Sequence, residues 1–400
     1  METQAPIQPL LDLASKEGRL KTLRGIYRAR FMDDKMQKLV RQNKGGTFHL
    51  YTHGHELIGV MSAQALTAGK DWGLPYYRDR AFAIGLGCDL GELFAAFLAR
   101  EVPHHSGGRM MPDHFSHKEL RIPCQSSVVG SQFLQAVGVA KGARLAGKDE
   151  VVYVSGGDGS TSQGDFHEAL NYSCLHKLGV IFVIQDNGWA ISVPVEDQTA
   201  GGSIAHMARG YPNLTVHEID GCDYEEVGKA LRSAVQKGRN LEGPTLIVAK
   251  VPRIGAHSSS DDPKKYKNED HFEEDDRRDP IPRFEKELIE GNILTQDEID
   301  ALREEIKEEI EEAAIKGESY PLQDPDRVLD HLYKETTIAF KETPDERGES
   351  VVMMDALNHA IDEEMERDPG VVVFGQDVAR GKGGVFGITR GLTDKYGKER

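Results

Sequence analysis

Apolar positions along the chain change their spacing several times, and each spacing predicts a different kind of element. Up to about residue 100 the period is helical, and "LGELFAAFLAR" (90–100) is the clearest buried helix, with a structural role. Between about residues 122 and 251, short β-branched runs at 151–154, 180–184 and 245–251 alternate with helical stretches at 132–146 and 164–178. That alternation predicts an α/β fold: a parallel sheet flanked by helices and joined by right-handed crossovers. Residues 258–283, "SSSDDPKKYKNEDHFEEDDRRDPIPR", are crowded with charge and carry three prolines, which predicts an exposed loop. Thr295 and Glu298 then form a capping box, and Ile299, Leu302, Ile306 and Ile310 make one apolar stripe under an acidic face that solvation alone explains. The pattern dissolves over 319–349, read as a linker with one short helix. A helix at 353–367, a strand at 371–378 and a Gly-rich loop at 381–387 follow, too little for an independent core.

Composition narrows the class. At 400 residues and 38% hydrophobic content the chain can bury one large core or two medium ones. Sixty-six acidic against 49 basic side chains, a net charge of −17, argue against a nucleic-acid partner. Cys88, Cys124, Cys174 and Cys222 lie far apart with no Cys-x-x-Cys pair, which suits reduced thiols in a cytosol better than a zinc site or a disulfide framework. No apolar run reaches the roughly 18 residues of a membrane span and no signal-peptide pattern opens the chain, so a cytoplasmic protein without membrane attachment is expected.

The stretch "VVYVSGGDGSTSQGDFHEALN" (151–171) sets an acidic residue, Asp158, between glycines where an apolar run has just ended. With 151–154 and 180–184 as adjacent parallel strands, Asp158 and Asn187 both fall just past strand ends, in the crevice where open α/β sheets bind ligands. A carboxylate and an amide oxygen are hard donors that suit Mg²⁺ carrying substrate phosphates. Gly157 and Gly159 would let the backbone approach a phosphate, and the following helix start offers free N–H groups. The spacing alone leaves two ordinary turns as the alternative.

"GDGSTSQGDFHEALN" followed by "IFVIQDNGWAIS" resembles the thiamine diphosphate motif and, more narrowly, the E1 α subunit of the 2-oxo acid dehydrogenase complexes. "YYRDRAFAIGLG" (76–87), "GGRMMPDHFS" (107–116), "SSVVGSQFLQAVGVA" (126–140) and "RIGAHSSSDDP" (253–263) fall in the family's order, so the resemblance covers about residues 20–315. The last segment, "ALNHAIDEEMERDPGVVVFGQDVARGKGGVFGITRGLTDKYGKER", resembles the beginning of the partner β subunit, as in an α and β fusion cut short. The expected organisation is an E1 α-like thiamine diphosphate-binding domain at 1–315, a linker at 316–350 and the beginning of an E1 β-like, pyrimidine-binding domain at 351–400.

The resemblance implies thiamine diphosphate and Mg²⁺ as cofactors. Asp158, Asn187 and the carbonyl of Trp189 would hold the metal; Tyr77 and Arg78 would contact the diphosphate, with Gly159 and Ser160 adding backbone N–H groups. Ser127 and Val129 match positions at the aminopyrimidine, Val129 standing where branched-chain relatives commonly have Leu. Gln185 is a second departure, at a place where those relatives usually put an Arg on the phosphates. His257 matches a histidine facing the reacting carbon and is the expected catalytic residue; a lone His in a polar loop is otherwise simply exposed. Ser258 matches a position phosphorylated in animal enzymes, and no such control is expected here. His53, His55 and Glu56 in "YTHGHE" cluster in sequence, but the family carries a carboxylate near there without a metal, and His104 and His105 read as loop residues, so no zinc is expected.

The implied reaction is oxidative decarboxylation of a branched-chain 2-oxo acid with reductive acylation of a lipoyl group on a separate E2 acyltransferase. A homo-oligomer of fused chains and the remainder of the β domain complete the expected partners. A pyruvate- or acetoin-specific relative, or a non-catalytic scaffold homologue, are the alternatives. In the family a β-side glutamate activates the cofactor; Asp377 and Glu399 come too early to match it, so these 400 residues alone are expected to be inactive.

Overall fold

The computed structural model describes residues 12–45, 48–106, 109–330, 332–333, 348 and 350–400. They form two units, one of 1–144 with 148–328 and the other of 329–400 with 145–147.

In the first unit five parallel strands form one sheet. Its order is β1 (Trp72–Leu74), β2 (Val152–Gly157), β3 (Val180–Asp186), Thr245–Lys250 and Thr215–Asp220. The three central strands are almost wholly buried, which is why they read as continuous apolar runs and not as alternation. Successive side chains leave opposite faces. Val151, Tyr153, Ile181, Val183, Ile247 and Ala249 join a core with α1 (Lys16–Arg41), α2 (Glu56–Gln64), α3 (Arg80–Leu86) and the helices Tyr224–Arg239 and Gln296–Ser319. Val152, Val154, Val180, Phe182, Ile184, Leu246 and Val248 join the opposite core with α5 (Ser131–Leu145) and α6 (Gly164–His176). The expected parallel sheet flanked by helices is present, and the helix at 90–100 is α4 (Leu90–Phe97).

Two edge strands escaped the sequence reading. β1 is only three residues long, and Gly73 is needed in it because a Cβ there would stand 2.7 Å from the Phe82 ring. Thr215–Asp220 is only half buried, so its apolar signal is weak.

The expectation of an exposed loop at 258–283 is corrected. Helices Glu269–Arg277 and Pro280–Glu290 occupy much of it and continue beyond it. Asn268 and His271 make a reciprocal capping box and Asp279 caps the second helix with Pro280 at its first position, signals that the run of charge obscured. The acidic face of Gln296–Ser319 is also more than solvated: Glu298, Glu305, Glu309, Glu311 and Glu318 pair with Lys16, Arg24, Arg28, Lys35 and Lys44 of α1 and the turn after it. Its capping box and its buried Ile299, Leu302, Ile306 and Ile310 are as expected.

In the second unit the expected helix is Met353–Arg367. The strand expected at 371–378 is absent: no strand among the described residues of that unit pairs with it, and a lone strand leaves its backbone groups unmet. Instead the Arg400 guanidinium holds the carbonyls of Met365, Asp368 and Val371. Of the proposed linker, 331, 334–347 and 349 lie outside the described residues, and the part before them holds the end of Gln296–Ser319 and one short turn, Pro325–Arg327.

Candidate functional site

Register builds the site. Gly157, the last residue of β2, pairs with Gln185 of β3, so the two chains leave the sheet side by side and carry Asp158 and Asn187 out together. Asp158 opens a turn, Asp158–Ser162, that leads into α6; it is 1% exposed. Its carboxylate accepts the backbone N–H of Asn187 and the Gln198 amide, the latter at 2.9 Å. Burial, with the Asp186 charge beside it, raises its pKa to about 6. A carboxyl held that high is relieved by a nearby cation.

Asn187, Gly188 and Trp189 form a tight turn in which the Asn187 Oδ1 accepts the Trp189 N–H at 3.1 Å and Gly188 takes φ +79°. The Trp189 ring is packed against Tyr266 and His271 at 5.5 and 5.3 Å between centroids. At Gly159 a Cβ would stand 2.7 Å from that of Ala190, whose side chain uses the space. At Gly157 a Cβ would meet only the Tyr76 ring, at 3.6 Å. The Ser160 hydroxyl closes the turn on the Gly157 carbonyl at 2.6 Å.

Two guanidinium groups are buried beside this carboxylate. Arg78, 2% exposed, donates to the carbonyls of Tyr51 and His257 and to His257 Nδ1, the last two at 3.2 Å. Arg253, 1% exposed, donates to the Ile191 carbonyl at 2.9 Å and the Tyr266 hydroxyl at 2.7 Å, and its Nε has no partner. Their partners are neutral acceptors. Arg78 does not pair with its neighbour Asp79, which accepts from Tyr153, Ser155 and Gln185. Burial and then the Arg78 charge depress the Arg253 pKa. Among the described residues neither makes a direct ion pair, Arg253 feeling Asp261 and Asp158 only at longer range, and an anion placed between two such buried cations would offset the cost of burying them.

His257 sits against the same pair. Its ring lies edge-on to Tyr77 at 6.4 Å, its backbone N–H donates to Asp261 at 2.8 Å, and burial with Arg78 and Arg253 lowers its pKa to about 4. Since Nδ1 accepts from Arg78, the neutral ring carries its proton on Nε2, free for another partner. Ser127 and Val129 stand exposed before α5, Val129 at 49%, with the Ser127 hydroxyl 2.7 Å from His114 Nε2. Tyr77, Arg78, Asp158, Asn187 and His257 thus converge, while Ser127 and Val129 lie out at the surface.

Gln185 is not aimed at a ligand. Its amide is consumed beneath the site by His55 at 2.7 Å, the Tyr76 hydroxyl at 3.0 Å and Asp79 at 3.0 Å. His53, His55 and Glu56 do not converge either: His53 pairs with Asp33, Glu56 with Arg30, and His55 sits under Asn187, its pKa lowered to about 3 by burial and Arg78. Sequence reasoning missed Arg253 and His55 as site residues. Arg253 was visible as the one Arg of "RIGAHSSSDDP"; His55 stood out only in the His53, His55 and Glu56 cluster, which gave no sign of its place beneath Asn187.

Residues 24–326 match the family described as "Dehydrogenase E1 component". The chain is 37% identical over 312 residues to the 2-oxoisovalerate dehydrogenase subunit alpha of Bacillus subtilis, covering 78% of this chain and 93% of that one. It is 34% identical over 313 residues to the pyruvate dehydrogenase E1 component subunit alpha of Bacillus cereus, with 78% and 81% covered. The 3-methyl-2-oxobutanoate dehydrogenase subunit alpha of Mycobacterium tuberculosis is 32% identical over 329 residues, with 79% and 84% covered.

Proposed function

The chain belongs to the dehydrogenase E1 component family, and from that membership we propose that it is the α-type part of a thiamine diphosphate-dependent 2-oxo acid dehydrogenase acting on branched-chain substrates. The observation that carries this reading is the buried Arg78 and Arg253, without carboxylate partners, beside Asp158 and Asn187 at the ends of adjacent parallel strands. A magnesium diphosphate answers both needs at once. Asp158, Asn187 and the Trp189 carbonyl are the oxygen donors for Mg²⁺. Arg78 and Arg253 neutralise the phosphates, with Tyr77 closing over them, and Gly157, Gly159 and Ser160 line the turn beneath. Bound there, thiamine diphosphate supplies the electron sink for loss of CO₂ from a 2-oxo acid.

This chain's own work is to hold that group, keep water out and manage a proton. His257, neutral near pH 7 with its proton on Nε2, is the donor toward substrate oxygen and the group that steadies the acyl product for transfer. Ser127 and Val129, exposed, are suited to the aminopyrimidine end, where a β-type domain completes the pocket. In this reading residues 351–400 are the start of such a domain after a linker at 316–350, supported by their likeness to a β subunit, and a lipoyl-bearing acyltransferase takes the product. The substrate assignment rests on 37% identity to a 2-oxoisovalerate subunit, while relatives at 34% are pyruvate subunits, the second reading.

The test is a steady-state assay of the chain joined to a β-type domain, with 2-oxoisovalerate, 4-methyl-2-oxopentanoate, pyruvate and acetoin. Branched-chain acids should give the highest kcat/KM. A preference for pyruvate transfers the assignment to the second reading, and no turnover of any 2-oxo acid refutes both.

A further inference from the structure

A second constellation of ligating side chains lies outside the sheet crevice, on the segment that follows α4. His104 and His117 come from two stretches that the His105 N–H to Ser116 carbonyl bond, 3.1 Å, ties together. His117 and Ile122 then bond each other's backbone in both directions at 2.9 Å, closing a short hairpin that carries Glu119 back beside His117. The Nδ1 atoms of His104 and His117 stand 3.6 and 3.4 Å from the same Glu119 oxygen, and the three ligand atoms all lie within 4.8 Å of one another.

Those two spacings exceed a normal N–H···O hydrogen bond. They match the separation of about 3.4 Å between ligand atoms around a tetrahedral ion with bonds of about 2.1 Å. His117 Nδ1 accepts the Leu120 N–H at 3.3 Å, so it is the unprotonated nitrogen of that ring, and an ion bound there would displace this long hydrogen bond from its one lone pair. On the far side of the His104 ring Glu92 of α4 stands 3.9 Å from Nε2, beyond hydrogen-bond reach as the ring now lies. The two imidazoles are stacked at 3.7 Å and 15°, so one ion cannot lie in both ring planes as they stand; binding turns at least one ring about its Cβ–Cγ bond.

We propose that His104, His117 and Glu119 bind one zinc-class divalent transition-metal ion, at a site distinct from the one that holds the cofactor. Two imidazoles and one carboxylate favour Zn²⁺, Co²⁺ or Ni²⁺ over Mg²⁺, which takes oxygen ligands. The ion would cross-link the loop after α4 to the 117–122 hairpin, and the open fourth position would hold water.

The probe is Co²⁺, titrated into the full chain with Mg²⁺ at saturation so that oxygen-rich sites are filled. One equivalent should bind with the intense visible absorption of four-coordinate cobalt, and Zn²⁺ should displace it. Affinity should fall at least about tenfold in His104→Gln, His117→Gln and Glu119→Gln. Glu119 is 66% exposed, so Glu119→Gln keeps the fold, which circular dichroism without metal verifies. Absence of the absorption in the unmodified chain, or equal affinity in the folded Glu119→Gln and His117→Gln variants, would overturn the proposal.

Discussion

His257 and His55 lie close to the same two cations yet answer to different needs. In the proposed reaction His257 borders the reacting end of the site, so in the chain joined to a β-type domain His257→Ala should keep thiamine diphosphate affinity within about twofold but lose on the order of 100-fold or more in lipoyl acylation. Separate binding and acylation assays decide it, and normal acylation would reduce His257 to a loop residue. His55 is wholly buried and neutral: its folded pKa is about 3 against 6.5 when free. Between those values the unfolded chain holds the extra proton, so stability falls as pH drops from 6.5 toward 3. At pH 5 the loss from His55 alone is about 2 kcal/mol. Urea unfolding at pH 7 and pH 5 should show a smaller difference in His55→Gln than in the unmodified chain; an unchanged difference would mean His55 is not buried neutral. Asp158 and Asn187 were legible in the sequence because strand ends are marked by local turn chemistry. His55 and Arg253 were not, because their roles arise from burial against residues far away in sequence, 132 positions for His55 and Asn187.

At the scale of elements, what was legible followed the strength of the local signal. The three central strands carry apolar runs long enough to see, and the helix Gln296–Ser319 announces itself by its Thr295 capping box and its stripe. A three-residue edge strand has no such signal, and in 258–283 the capping residues were hidden within a run of charge. The strand expected at 371–378 shows the converse: a correct apolar pattern forms no ladder without a partner. The stripe of Gln296–Ser319 matters more than its cap. Ile306→Ala, at a fully buried position, should cost about 2–5 kcal/mol, and Thr295→Ala about 1 kcal/mol. Denaturant midpoints of the two variants check the order, and a larger loss from Thr295→Ala would contradict the packing described.

For the molecule as a whole, the sheet brings a carboxylate, an amide and, among the described residues, two guanidiniums without direct carboxylate partners to its strand ends, the charge pattern on which the proposed magnesium diphosphate site rests. The parallel α/β architecture was legible because alternation of strand and helix runs through the sequence; the pairing of remote cations was not, since it depends on tertiary approach. If the cofactor pocket is shared with a β-type domain, adding such a domain should raise both thiamine diphosphate affinity and 2-oxo acid turnover. Affinity and turnover unchanged by it would refute the shared pocket. The most direct test of the central claim is calorimetric titration of the chain completed by a β-type domain with thiamine diphosphate, with and without Mg²⁺, beside Asp158→Ala. The account predicts Mg²⁺-dependent binding that Asp158→Ala abolishes while circular dichroism stays unchanged; equal affinity in the variant, or binding indifferent to Mg²⁺, would contradict it.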